Sequence, residues 1–126
     1  MTVFKATANG PAVCLCGTNR VYCSGDIAYR YGGEEFVVVL AGQILADAAS
    51  AMERLRHAVQ GLGIPHAASR AGEVMTISVG VSAWEYEQLD TPVTTLARAD
   101  DALYRSKAAG RNRVTAGVPA PSTSTP

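Results

Sequence analysis

Gly32-Gly33-Glu34-Glu35-Phe36 gathers side chains able to do chemistry into one short stretch. Two glycines precede two acids, and apolar segments lie on both sides. Gly-Gly between strand-like segments predicts a tight hairpin turn, because glycine reaches φ > 0 without steric cost. The missing side chains also let another molecule approach the backbone closely. Two carboxylates beside a bare turn can hold a divalent metal, and a metal can hold phosphates. Nucleotide chemistry is the functional reading of this pattern, although from the pattern alone a plain solvated acidic tip is the commoner outcome.

Other candidates carry less. Lys107 and Arg111 bracket a helix end, where cations offset the negative end of the helix dipole. Asp100 and Asp101 read as helix surface, Arg30 as a structural residue of the hairpin, and Tyr104 as a core residue with its hydroxyl satisfied. Cys14, Cys16 and Cys23 with His57 or His66 match no common zinc spacing.

These residues need elements to position them. Asp26 to Tyr31 and Phe36 to Leu40 read as two strands of an antiparallel hairpin. The second is apolar throughout, so it is expected to be covered on both faces. Leu45, Ala48, Met52, Leu55, Val59 and Leu62 form one apolar stripe, which predicts a helix over 45–62 with Glu53, Arg54 and Arg56 away from the stripe. Met75 to Trp84 reads as a strand, and Gly80 inside it signals close packing or a bulge. Thr91 or Asp90 caps a second helix with Pro92 at its first position. Its expected buried face is Leu96, Ala99, Leu103 and Ser106 or Lys107. Gly110 stops that helix in a left-handed conformation, and Arg113 to Ala116 predicts a last short strand. The order suits an α+β layer, an antiparallel or mixed sheet with helices on one face. Residues 1–25 are the least readable, 26–116 form the domain, and 117–126 have the composition of a disordered tail.

The chain has 126 residues, enough for one small domain, and 48% of them are hydrophobic, ordinary for a globular core. The formal net charge is zero, which argues against a nucleic-acid track. No apolar run approaches a membrane span, and Met1 to Lys5 lacks the pattern of a signal peptide. The odd cysteine count suits a reducing cytoplasm.

Three stretches together resemble one family. Asp26 to Phe36 is similar to the hairpin that names the GGDEF domains. Thr76-Ile77-Ser78-Val79-Gly80-Val81 is similar to their central strand, and Ala99 to Arg113 to their C-terminal helix and following turn. The resemblance implies a ferredoxin-like nucleotidyl-cyclase palm and a diguanylate cyclase. That family condenses two GTP into cyclic di-GMP and pyrophosphate, with Mg²⁺ as cofactor and a homodimer facing two GTP sites together. It implies that Gly32 and Gly33 lie against the nucleotide and that Glu34 is metal ligand and candidate base. Glu35 would be its catalytic partner, and Lys107 and Arg111 would hold the β- and γ-phosphates.

The sequence departs from the family in two places. The family's first strand carries an Asp-x-Asp-x-Phe-Lys-like run. If Phe4-Lys5 is its end, the metal aspartate falls just before Met1 and Thr2 takes the second acidic position. The guanine-reading asparagine then falls at Ala8, with Asn9 one place late. The stretch from Lys5 to Gly32 is too short for the helix and connections expected there. The first strand and helix are therefore read as divergent or missing, which would leave an open sheet edge. Second, the family's product-binding Arg-x-x-Asp site becomes Cys23-Ser24-Gly25-Asp26. A thiol offers no guanidinium fork, so no product inhibition is expected through this remnant. The alternative to an active cyclase is an inactive module of the same family that binds GTP or a protein partner.

Overall fold

A computed structural model describes residues 2–8, 27–40, 42–66, 74–84 and 90–118, with 2–8 described by backbone alone. The elements are β1 (Thr2–Ala8), β2 (Ile27–Arg30), β3 (Glu35–Leu40), α1 (Leu45–Gly61), β4 (Ile77–Ala83), α2 (Pro92–Ala108) and β5 (Val114–Ala116). The strands form one five-stranded sheet in the order β2-β3-β1-β4-β5.

The first strand is present, and it is central. Thr2–Ala8 pairs antiparallel with β3 on one side and β4 on the other, from Thr2↔Leu40 to Thr7↔Glu35 and from Thr2↔Ala83 to Ala8↔Ile77. The expectation of a missing first strand, and of an open edge beside it, is corrected. Thr2, Val3, Phe4 and Thr7 suit a pleated strand. The segment expected to hold the first helix, 9–26, lies outside the described residues, as does the tail beyond Val118.

β5 joins β4 in parallel, so the sheet is mixed. On one face, Val38 and Leu40 of β3 and Ile77, Val79 and Val81 of β4 pack against Ala48, Ala51, Met52, Leu55 and Val59 of α1. Leu62, counted in the stripe from its spacing, is 60% exposed. The helix ends at Gly61 and Leu62 is its C-cap, so the stripe stops one turn earlier than the periodicity suggests.

α2 covers the other face. Side chains alternate along a strand, and a Cβ at Gly80 would point away from the Val79–Val81 core and into α2, 2.9 Å from Leu103 Cα. Only glycine lets this helix rest directly on the strand. Ser82 Oγ donates to Thr95 O at 2.5 Å, and Ser106 Oγ to Val79 O at 2.9 Å, which ties both ends of the contact. The expectation of helices on one face is therefore corrected: among the described residues, one helix lies on each face. α1 links parallel strands β3 and β4 across β1, and α2 links the adjacent β4 and β5 in the same sideways direction. Because the helices lie on opposite faces, the two crossovers have opposite hand, and one runs against the usual right-handed rule.

α2 starts as its sequence predicts. Thr91 is the N-cap of a capping box with Thr94, and Pro92 follows. Thr95, Ala99, Ala102, Leu103 and Ser106 are buried. Leu96 is only half-buried, and Tyr104, read as core, is 74% exposed. The buried strip is set by backbone contact at Gly80, and Tyr104 lies on its solvent side.

Candidate active site

β2 and β3 are joined through Tyr31-Gly32-Gly33-Glu34, with Arg30 opposite Phe36. The Tyr31 and Gly32 N–H groups both donate to Glu35 O, at 2.8 and 3.2 Å. Arg30 closes the loop from the side. Its Nη2 donates to Gly33 O at 2.8 Å and its Nε to Gly32 O at 3.3 Å. This bears out the structural reading of Arg30.

The glycines differ from expectation in an informative way. Neither Gly32 nor Gly33 has a positive φ. A methyl at Gly33 would meet nothing within 4 Å, and one at Gly32 would only touch Glu35 Oε2 at 3.9 Å. The turn thus needs glycine neither for its backbone nor for its packing. What the pair creates is a bare, exposed ledge. Glu34 is exposed beside it and Glu35 is half-buried. Among the described residues, no hydrogen bond or ion pair involves the Glu34 side chain.

The sheet carries this ledge toward the end of α2. Glu35 stands opposite Thr7 on β1, and Thr7 opposite Ser78 on β4. Ser78 Oγ accepts the Asn112 N–H at 3.2 Å, and Val79 N–H donates to Arg113 O at 2.9 Å. Two strand spacings, about 10 Å, separate the base of the hairpin from the turn after α2. That turn has Schellman geometry: Gly110 N–H donates to Lys107 O at 3.3 Å and Arg111 N–H to Ser106 O at 2.9 Å. Gly110 has φ 115°, as a helix stop requires. Arg111 at 63° and Asn112 at 45° are left-handed without being glycine. The side chains of Lys107 and Arg111 are half-buried and make no hydrogen bond or ion pair among the described residues.

The donor set fits one Mg²⁺. Such an ion takes one or two carboxylates and completes its shell with phosphate oxygens and water, and the exposed Glu34 can supply one of these carboxylates. The donor set does not supply the further acid that the family resemblance implies. The alignment that put an acidic position at Thr2 is corrected, because Thr2 pairs with Leu40 at the other end of the strand and Thr7 is the position across from Glu35; β1 holds no carboxylate, and no cluster of three or more potential ligands exists among the described residues. The zinc alternative has no support there either: His57 lies exposed on α1, and Cys14, Cys16 and Cys23 lie outside the described residues, as does Asp26.

Two residues, read from the sequence only as a possible cap and an off-stripe helix residue, carry structural weight. Asp90 has a side chain only 2% exposed and pairs with Arg98. It also accepts from Thr95 Oγ1 at 3.2 Å and from Thr94 Oγ1. Arg56 joins α1 to Asn112. An acid before a threonine cap, four residues ahead of a second threonine and eight ahead of an arginine, was the available signal for the first pair. Nothing in the helical pattern announced the second.

The family model for "Diguanylate cyclase, GGDEF domain" matches residues 19–113. The chain belongs to the GGDEF family. It is 48% identical over 89 residues to response regulator PleD of Caulobacter vibrioides, covering 71% of this chain and 19% of that protein. It is 41% identical over 92 residues to diguanylate cyclase A of Treponema denticola, covering 73% and 24%. The chain thus spans a quarter or less of the length of these relatives. Among solved structures, this GGDEF fold is similar to the GGDEF domain of DgcB from Caulobacter crescentus in complex with c-di-GMP. The TM-score is 0.68 at 26% identity, over 92% of this chain and 78% of the other. It also shares its fold with the active GGEEF domain of a Vibrio cholerae diguanylate cyclase, TM-score 0.70 at 21% identity, over 94% and 83%. The α+β palm architecture is therefore that of the GGDEF domains. Among the described residues, no helix is long and apolar enough to cross a membrane.

Proposed function

We propose that this GGDEF domain binds GTP at the hairpin end of its sheet and, facing a second copy, condenses two GTP into cyclic di-GMP and pyrophosphate. The observation that carries the reading is the ledge itself. Gly32 and Gly33 are glycines where neither the backbone nor the packing requires them. A site kept bare without a need in the free fold is a site for something that approaches it. An exposed acid lies beside it, and an ammonium and a guanidinium stand at the same end of the sheet, suited to a triphosphate tail.

In this reading Gly32 and Gly33 carry the nucleotide, and Lys107 and Arg111 hold its β- and γ-phosphates. The 3′-hydroxyl of one GTP attacks the α-phosphorus of the other. An O–P bond forms, the bond to pyrophosphate breaks, and Glu34 takes the hydroxyl proton. The second half-reaction repeats this in the opposite sense. Glu34 would hold Mg²⁺, with Glu35 as its catalytic partner, and the ion would supply charge neutralisation of the phosphates when bound. GTP as substrate implies a cytoplasmic location.

One observation favours a second reading, a GTP-binding GGDEF module without turnover: Thr7 stands where an acid facing Glu35 would sit. Incubating the purified chain with GTP and Mg²⁺ separates the two. Cyclic di-GMP that disappears in Glu34→Ala supports the cyclase. Equal product in that variant refutes the role of Glu34. GTP binding with no product selects the module.

A further inference from the structure

Arg56 lies on α1, far from the ledge in sequence, yet its side chain is only 12% exposed. Its guanidinium is held on three sides by its own helix. Nε donates to Glu53 Oε2 at 2.8 Å, Nη1 to Gln60 Oε1 at 3.3 Å, and Nη2 to His57 Nε2 at 2.9 Å. These neighbours aim Nη1 across to Asn112 Oδ1, 3.0 Å away. Asn112 is one of two consecutive residues held left-handed without being glycine, a conformation that asparagine accepts more readily than the arginine before it. The Schellman bonds account for Gly110 and Arg111. Asn112 is fixed by Arg56 from the side and by Ser78 Oγ from below.

We infer that Arg56 is a positioning residue for phosphate recognition: through Asn112 it clamps the strained turn that presents Arg111 to the β- and γ-phosphates of the nucleotide. The inference rests on the proposed role of Arg111 and adds to it a residue that touches no substrate. A guanidinium fork suits this task because it binds its own helix and the turn at once. A lysine would keep one of these bonds and lose the others.

The test compares GTP with GMP, which lacks the two outer phosphates, by calorimetric titration of the folded chain. Arg56→Met and Asn112→Gly are the variants. The second is the safeguard, because glycine adopts φ 45° without strain and so loses the clamp while favouring the turn. Both are expected to weaken GTP binding about three- to tenfold and to leave GMP binding unchanged. In the double variant Arg56→Met with Arg111→Ala, the losses are expected not to add. If Arg111→Ala weakens GTP binding and neither clamp variant does, the clamp is overturned while the phosphate reading stands. If Arg111→Ala itself changes nothing, the phosphate reading falls and the clamp falls with it. Equal weakening of GTP and GMP would also overturn the clamp, since it would show general damage to the fold.

Discussion

At Gly33 the demands of folding and of binding separate. A methyl there meets no neighbour and no forbidden φ. Gly33→Ala is expected to leave stability unchanged or raise it by about 0.4–1 kcal/mol, through the smaller entropy of the unfolded chain. The same change is expected to weaken GTP binding, because the methyl stands on the ledge. Denaturant unfolding and GTP titration of one variant check both halves. Asp90 shows the opposite balance. Its carboxylate is buried against Arg98 and two threonine hydroxyls, so Asp90→Ala strands a cation and is expected to cost about 3–5 kcal/mol. Chemical denaturation reads this, and loss of less than about 1 kcal/mol would contradict the buried pair. At this scale the hairpin residues were legible from their types alone. Asp90 was legible only as a possible cap, because burial is a property of the assembled fold.

Elements carry the next set of consequences. Gly80→Ala would drive a methyl into the backbone of α2 at Leu103. Overpacking against backbone has no side-chain escape, so a loss of about 3 kcal/mol is expected, seen as a lower thermal midpoint. Both helices were legible, because a stripe at steps of three and four and a Thr91-Pro92 start are local signals. Tyr104 and Leu62 were misread because periodicity gives a face but not its phase or its end. The phase of α2 is set by Gly80 and its serine neighbours, which lie on another strand. β1 was misread for a different reason. Thr2 to Ala8 carries ordinary strand residues, and a strand at the centre of a sheet is defined by its two partners, here β3 and β4.

Across the whole molecule, the sheet brings the ledge, the strand position of Thr7 and the turn after α2 to one end. That convergence is topological, and no single stretch of sequence displays it. The family resemblance anticipated it only by analogy. If the absent acid limits turnover, Thr7→Asp is expected to raise Mg²⁺-dependent cyclic di-GMP formation relative to the parent chain. The measurement is product over time with and without Mg²⁺. No gain in rate, with GTP binding retained, would show that the position across from Glu35 is not what limits the reaction.

α2 also has a mechanical side. It spans Pro92–Ala108, about 25 Å of rigid rod, and it rests on Gly80 through Ala99 and Leu103, close to its midpoint. Its first turn is gripped by Asp90 through Thr94 and Thr95, and its other end bears Lys107 and the Arg111 turn. The rod is also pinned on both sides of that contact, at Thr95 by Ser82 and at Ser106 by the Val79 carbonyl. Held at three points along one strand, it works as a splint, fixing the height of its cationic end above β4.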